Sequence, residues 1–361
     1  MSGTSMDSVD AGLLTHSDSF HLERGISHPF PAELHGRLRH LVDHADKISL
    51  DELGQIDTAL GACFAETAIA LLEAAGLTAA DVTAIGSHGQ TIRHRPTGAQ
   101  GFTMQIGDPN VIASRTGITT IADFRRRDVA LGGHGAPLAP AFHHAVFARS
   151  GEEQAVINIG GMSNITTLHA DGSVTGHDTG PGNVLMDAWS RQHHAEPFDD
   201  GGAWAQSGTI DSELLALLRS EEYFRLAPPK STGRELFNLP WLTGHLLSMA
   251  AAPEPADVQA TLSELTALVV AEAVRTYAPA AQRCLVCGGG AYNTFLMQRL
   301  AAHLPQVIIE TTQSRGIAPE WVEAGAFAWL AMQTLAGRAG NIIDVTGASR
   351  PAILGAIYSA G

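Results

Sequence analysis

The 361-residue sequence has only two lysines, Lys47 and Lys230, and its 22 basic residues are outnumbered by 37 acidic ones, giving a formal charge of −15. Affinity for phosphate backbones comes from clustered Lys and Arg, so the charge balance argues against a nucleic-acid partner. The run Arg125, Arg126, Arg127 is enough to meet one small anion. Cysteine is equally sparse, and three residues cannot build a disulfide framework. Cys284 and Cys287 have CxxC spacing, yet RCLVCGGG reads as a short strand entering a glycine turn. Residues three apart on a strand point to opposite faces, so both are expected in the core rather than on one metal. The opening MSGTSMDSVD has neither the basic leader nor the apolar stretch of a secretory signal, and no 18-residue apolar run is evident. No membrane partner and a cytoplasmic location are therefore expected. Two nucleotide motifs are missing as well: no GxxxxGK[ST] loop occurs, and no GxGxxG follows the first strand.

What is present is an apolar share of 45% with 16% charged residues, the composition of a globular chain, and a length that predicts two domains. Extended apolar runs alternate with helical stretches, which predicts an α/β architecture. Strands are expected at 9–15, 82–87, 156–159, 165–169, 283–287 and 307–310. Helices are expected at 49–75, 183–192, 211–219, 257–277 and 291–302. The glycine-proline stretch LGGHGAPLAPAF, from Leu131 to Phe142, marks the expected interdomain crossing.

A faint internal echo links the halves. GTSMDSVDAGLL is a Gly/Ser/Thr turn entering a strand, and INIGGMSNITTL, from Ile157, is a strand, a similar turn and another strand. Tight turns of this kind converge backbone N–H groups on one anion, and two of them in related halves are expected to face each other across a cleft. Plain hairpin chemistry explains either turn alone. A third cluster, CGGGAYN from Cys287, ends a strand and opens a helix, a setting that lets a ligand approach the backbone.

Three stretches carry reactive groups. GHDTGPGNVLMDAW holds Asp178 where Gly180, Pro181 and Gly182 are expected to prevent regular structure, although an aspartate there also caps turns. QIGDPNVIASRTGITTIADFRRRD holds Asp108, Asp123 and Arg125, which ordinary surface ion pairs would also explain. His88, in GSHGQTIRHRP, follows a strand end, where open α/β sheets present ligands, while a satisfied core histidine fits it as well. His40 and His44 have i,i+4 spacing, but Leu41 stands where HExxH needs glutamate, so no dedicated metal site is expected.

MSGTSMDSVD, GSHGQTIRHRP, QIGDPNVIA, ADFRRRDVALGGHGAPLAP, INIGGMSNIT, GHDTGPGNVLMDAW, PPKSTGRELFN, CGGGAYN and EAGAFAWLA around Glu323 together closely resemble the anhydro-N-acetylmuramic acid kinase family, in order along nearly the whole chain. The resemblance implies two RNase-H-like domains around a central ATP cleft, as in sugar kinases, Hsp70 and actin. It places the first domain at 1–131, rejoined by the tail 343–361, and the second at 132–342. It implies an ATP-dependent kinase that opens 1,6-anhydro-N-acetylmuramic acid with water, giving N-acetylmuramic acid 6-phosphate in peptidoglycan recycling. ATP and Mg²⁺ are the implied cofactors, the anhydrosugar the implied partner, and a homodimer a compatible assembly.

Carried over by motif, Gly3, Thr4, Ser5, Met6, Asp7, Ser8, Val9 and Asp10 form the first phosphate loop. Gly160 and Gly161 form the second, and Gly288, Gly289, Gly290 and Asn293 the adenosine-side turn. Asp178 is the implied catalytic base, His88, Asp123, Arg125 and Glu323 line the sugar side, and Asp7 or Asp178 is available to Mg²⁺. Two departures stand out: Ser8 replaces the glycine that usually ends the first loop, and relatives have a short strand ahead of that loop, where this chain starts at Met1. A nucleotide-gated interaction module of the actin or Hsp70 kind is the alternative reading. It predicts ATP binding without sugar-dependent turnover.

Overall fold

Short apolar runs separated by glycine, proline and serine turns fold, in the computed structural model, into strands and helices in close succession; every residue is described except 4–7, 18 and 45–46. The chain opens with β1 (Ser8–His16), β2 (Phe20–Pro29), α1 (Ala32–Asp43), α2 (Leu50–Ala75), β3 (Ile85–Gly86), β4 (Gln90–Arg95) and β5 (Phe102–Ile106). It continues through α3 (Pro109–Thr116), β6 (Thr120–Ala122), α4 (Arg126–Ala130) and α5 (Ala139–Phe147). A second series follows: β7 (Gln154–Ile159), β8 (Met162–Leu168), β9 (Val174–Pro181), α6 (Val184–His194), α7 (Ala203–Ser207), α8 (Ser212–Arg219), α9 (Leu239–Ser248), α10 (Pro255–Tyr277), β10 (Arg283–Cys287), α11 (Thr294–His303) and β11 (Ile308–Thr311). The last stretch holds α12 (Val322–Leu335), α13 (Ile343–Thr346) and β12 (Ala356–Tyr358).

The chain divides into two compact units, one of Met1–Val146 with Trp321–Gly361 and one of Phe147–Glu320. The boundaries differ from those expected at 131/132 and 342/343, and the reason is packing. Phe142 of α5 is fully buried with its ring tilted against that of Trp329 of α12, centroids 6.2 Å apart, so both helices belong to the first unit. The glycine-proline stretch 131–142 lies inside that unit and is not the crossing. Its tail strand β12 pairs antiparallel with β6, on the side of β6 away from β3.

In the second unit one sheet runs β11-β10-β7-β8-β9. β7, β8 and β9 form an antiparallel meander, while β10 runs parallel to β7 and β11 parallel to β10. This is the RNase-H-like arrangement. β7 is almost wholly buried, as a central strand with helices over its faces must be. Cys284 and Cys287 are both buried on β10, as expected of core residues, and burial pushes the Cys284 thiol up to about 12. Around the sheet, Ile157, Leu185, Leu265 and Val270 join one continuous core.

The first unit pairs its strands differently. β1 and β2 form an antiparallel hairpin, β12, β6 and β3 a separate sheet, and β4 and β5 a second hairpin. Ser49 caps α2 by accepting from the Glu52 amide at 3.1 Å, and Gly76, at φ 69°, ends it in the left-handed conformation that an ordinary side chain resists. Among the described residues, α2 alone is long and apolar enough to cross a membrane, although the sequence suggested no such run. Its Ile56, Leu60 and Phe64 face the core beneath β1.

Candidate active site

The second unit assembles its candidate groups at one end of the β7–β8–β9 meander. Gly160 and Gly161 make the β7–β8 turn, where the Gly160 amide donates to the Met162 carbonyl at 3.1 Å. Their carbonyls accept from the start of α6: Asn183 donates to Gly160 at 2.8 Å, and Gly182 to Gly161 at 2.9 Å. Neither turn glycine has a left-handed φ, and a Cβ on Gly161 would meet no atom within 4 Å. The protein's own packing does not demand glycine at 161, and the space above it is open.

The CGGG turn behaves in the opposite way. A Cβ on Gly290 would lie 2.3 Å from Ile159 Cγ2, and Gly288, at φ 79°, would press on the Ile159 carbonyl at 2.6 Å. These two glycines let the turn seat against the end of β7. Gly289 is the less crowded member, its nearest neighbour being Asn183 Nδ2 at 3.6 Å. Asn293 is engaged locally, its Oδ1 capping α11 by accepting from the Leu296 amide at 2.9 Å.

Asp178 lies on a strand, not in the irregular segment expected from Gly180 and Pro181. β9 is the edge strand of its sheet, where a missing proline N–H breaks no ladder, so pairing continues to Pro181 opposite Met162. A bulge sits beside it: Ser163 pairs with Gly180 and Asn164 with Asp178, leaving Thr179 as the extra residue. Bulges re-aim side chains and often flank reactive groups. The Thr179 hydroxyl is bonded to that of Ser163 in the interior, which holds the bulge.

The segment 223–235 packs along the free edge of β9. The Thr232 amide donates to Asp178 Oδ2 at 3.1 Å, the Asp178 amide donates to the Lys230 carbonyl at 3.3 Å, and the Tyr223 hydroxyl donates to the Asp178 carbonyl at 2.8 Å. Lys230 Nζ donates to the Tyr223 carbonyl at 3.3 Å and lies 4.8 Å above the Tyr223 ring. Burial pushes the Asp178 carboxyl up to about 6, the Thr232 amide opposing and the charge of Glu235 reinforcing the rise. Thr232, Lys230 and Tyr223 were not singled out as site residues from sequence. The resemblance motif PPKSTGRELFN was the available signal for the first two.

In the first unit, His88 follows β3 and is buried against the Phe327 ring at 4.5 Å. Arg125 Nε donates to His88 Nε2 at 3.0 Å, so the imidazole is neutral with its proton on Nδ1. Burial and the Arg125 charge hold its pKa well below the usual histidine range. Arg125 Nη1 also donates to the Gly135 carbonyl at 2.8 Å, and burial lowers the guanidinium to about 10 against the pull of Glu323 and Asp128. Glu323, in the first turn of α12, is raised by desolvation, an effect opposed by Arg125 and increased by Asp10.

A group that the sequence reading passed over fixes this cluster. The fully buried Asp128 accepts from the Gly135 amide at 2.7 Å, Asn341 Nδ2 at 2.7 Å and Thr346 Oγ1 at 2.8 Å. It thereby ties the tail to the loop that receives Arg125.

Asp123 has φ 61°, which few non-glycine residues adopt, and both its oxygens accept from Arg126 Nε at 2.9 Å. Asp108, by contrast, caps α3 by accepting from the Asn110 amide.

Of the expected first loop, Thr4, Ser5, Met6 and Asp7 lie outside the described residues. Ser8, which stands where the family has glycine, begins β1 opposite Pro29 of β2. Val9 buries its side chain in the core, and Asp10 Oδ1 accepts from the Ser8 and Ser27 hydroxyls. Gly3 is partly exposed just ahead of the undescribed residues.

A family model described as anhydro-N-acetylmuramic acid kinase matches residues 1–360. The chain is 50% identical over 365 residues to the anhydro-N-acetylmuramic acid kinase of Xanthomonas campestris pv. campestris strain 8004, covering all of this chain and 96% of that protein. It is 48% identical over 360 residues to the enzyme of the same name from Vibrio cholerae, covering 99% and 96%. Among solved structures, the activator of the 2-hydroxyisocaproyl-CoA dehydratase from Clostridium difficile with bound ADPNP aligns with 78% of this chain and 85% of its own. That match has 13% identity and a TM-score of 0.40, too distant to build on.

Proposed function

Because the chain belongs to the anhydro-N-acetylmuramic acid kinase family, we propose that it uses ATP to phosphorylate O6 of 1,6-anhydro-N-acetylmuramic acid while water opens the 1,6 bridge, with Asp178 as the general base. The observation that carries the role of Asp178 is its combination of position and acidity. A carboxylate fixed by a backbone amide beside a bulge, with a pKa of about 6, is near the value that general-base catalysis at neutral pH favours.

Hydrolysing an ordinary glycoside takes two carboxyl groups, one for the nucleophile and one to protonate the leaving oxygen. Here the leaving oxygen is O6, and capture of the γ-phosphoryl group replaces the acid's proton. Asp178 takes a proton from water, the water oxygen bonds to C1, the C1–O6 bond breaks, O6 bonds to phosphorus, and ADP departs. The Thr232 amide and the Tyr223 hydroxyl hold Asp178 in place from the side chain and the backbone respectively. Water approaches opposite O6, so C1 inverts.

The open space over Gly161 supports a phosphate cradle at the second turn, and the CGGG turn with Asn293 supports the adenosine side. His88, held neutral by burial and by Arg125, together with Glu323 and Asp123, supports recognition of sugar hydroxyls. Mg²⁺ commonly binds through one or two carboxylates, waters and the substrate phosphates, and Asp7 or Asp178 would supply the carboxylate. When bound, Mg²⁺ neutralises charge on the β and γ oxygens. With ATP as donor, the reading carries a cytoplasmic location and a place in peptidoglycan recycling.

The test is ADP release from Mg·ATP with and without the anhydrosugar. The reading expects release that depends on the sugar and is stoichiometric with the sugar phosphate. ATP binding with equal ADP release in both arms would favour a nucleotide-gated interaction module instead.

A further inference from the structure

The end of the β7–β8–β9 meander away from the glycine turns carries a second set of reactive groups, and strand register brings them together. β7 and β8 pair Gln154 with Leu168, so Glu153 and His169 stand opposite each other one step further on, while β8 and β9 pair Thr167 with Thr175. Directly opposed residues share a face of the sheet, as do residues two apart on a strand. Glu153, His169 and Thr175 therefore lie on one face.

Their side chains join in a line. His169 Nδ1 lies 3.1 Å from Glu153 Oε2, and His169 Nε2 lies 3.1 Å from the Thr175 hydroxyl. The other Glu153 oxygen, Oε1, accepts from the Ala280 amide at 2.7 Å, which fixes the carboxylate. A carboxylate only accepts, so Nδ1 carries the imidazole proton and Nε2 presents a lone pair. The Thr175 hydroxyl then donates to Nε2. Hydroxyl, imidazole and carboxylate thus stand in the order of an activated nucleophile, its base and the group that orients the base, each pair within the reach of about 2.6–3.2 Å that this arrangement uses.

The hairpin turn holds the base still. The His169 amide donates to the Ser173 carbonyl at 2.9 Å and the Gly172 amide to the His169 carbonyl at 3.0 Å, while the Ser173 amide and hydroxyl both donate to Asp171 Oδ1, at 2.8 and 2.6 Å. Exposure grades along the line: the Glu153 side chain is 13% exposed and that of His169 26%, and Thr175 is exposed. Base and carboxylate are sheltered, and the hydroxyl meets solvent. By the alternation of β9, Gly176 turns its amide to the free edge of the sheet, as Asp178 does when it donates to the Lys230 carbonyl. A backbone N–H beside a nucleophile is the kind of donor that stabilises a tetrahedral oxyanion.

We propose that Thr175 is the nucleophile of a second site, distinct from the kinase site, that accepts an acyl group from a small activated ester, with His169 as general base and Glu153 as a positioning residue. Thr175 Oγ1 bonds to the ester carbonyl carbon as its proton passes to His169 Nε2. The ester C–O bond breaks, His169 returns the proton to the departing alcohol, and an acyl-threonine remains. Water then attacks that ester with the same imidazole as base, releasing the acid and restoring the hydroxyl. An exposed hydroxyl offers a long chain little burial, so a short acyl group such as acetyl is the one expected.

The probe is 4-nitrophenyl acetate, with no ATP or anhydrosugar present, so this test and the ADP-release test of the kinase reading fail separately. Peptide mass spectrometry of the quenched protein locates the acetyl group, and Lys47, in the other unit, serves as an internal reference for nonspecific labelling. Acetyl is expected on Thr175, retained at that position in Thr175→Ser and lost in Thr175→Val. In His169→Ala, labelling of Thr175 relative to Lys47 should fall by about 10²- to 10⁴-fold. Glu153→Gln should lower the same ratio by about tenfold or more, and Glu153→Asp, which keeps a carboxylate, should recover part of it. A purely structural Glu153 would move neither ratio. Acetyl confined to lysines and histidines, or Thr175 labelling unchanged in His169→Ala, would overturn the proposal.

Discussion

The second unit carries its five strands in one sheet with β7 buried at the centre, whereas in the first unit β1–β2 and β12–β6–β3 are separate sheets that border an apolar cavity. The difference shows how each holds its candidate groups. In the second unit, Asp178 hangs on a continuous sheet and the glycine turns abut the end of β7, so regular elements position the chemistry. In the first unit, position comes from a relay of polar contacts, Asp128 to the Gly135 amide, the Gly135 carbonyl to Arg125, and Arg125 to His88.

One pair of truncations tests that contrast most strongly. Ile157→Ala removes a fully buried side chain from β7 and is expected to cost about 2–5 kcal/mol, because the surrounding sheet cannot collapse onto the hole. Leu13→Ala on β1 removes a side chain that already borders unfilled space and should cost less than about 1.5 kcal/mol. Denaturant titration of both variants decides it, and equal losses would break the comparison.

A smaller effect separates structural from ligand-facing glycines within the second unit. Gly290→Ala drives a methyl into Ile159 and should cost about 1–3 kcal/mol. Gly161→Ala meets nothing, so its stability should stay within about 0.5 kcal/mol of the parent. If phosphate oxygens occupy that space, KM for ATP should rise about tenfold or more, equivalent to about 1.4 kcal/mol. Melting curves and ATP kinetics on the two variants read out both halves.

The smallest expected effect concerns the pH dependence of Asp178. Its folded pKa, about 6, lies above the usual carboxylate value of 3.8, so the native state keeps a proton that the unfolded chain has released. The stability that this proton gives is complete below pH 3.8 and is lost as pH rises through about 6. Asp178→Asn should therefore raise stability at pH 7–8 by about 1 kcal/mol, a figure reduced for the partial exposure of the group. The parent's kcat/KM should climb through about pH 6 as the base ionises, and the variant should lose that limb.

Much of the second unit was legible because its elements declare themselves locally. Arg283–Cys287 matched its strand to the residue, since a short apolar run ends at glycines. In the first unit α2 was read to within one residue, at 49–75 against Leu50–Ala75, because it is one long apolar helical run. The strand β2, FHLERGISHP, was missed because it is largely exposed and polar, so alternation does not stand out. The strand β12 was missed because its support comes from pairing with β6, far away in sequence. At the candidate site, the setting of Asp178 was misjudged, since glycine and proline read as breakers unless the strand is known to lie at an edge. Tyr223 and Asp128 left no local signal, because their partners are supplied by tertiary contacts.

The central claim, that Asp178 activates water from the edge of this sheet, is tested most directly by the single-turnover rate of Asp178→Asn alongside its affinities for ATP and the anhydrosugar. The account predicts nearly unchanged binding with chemistry slowed by about 10²- to 10⁴-fold. Near-native single-turnover chemistry in that variant would contradict it.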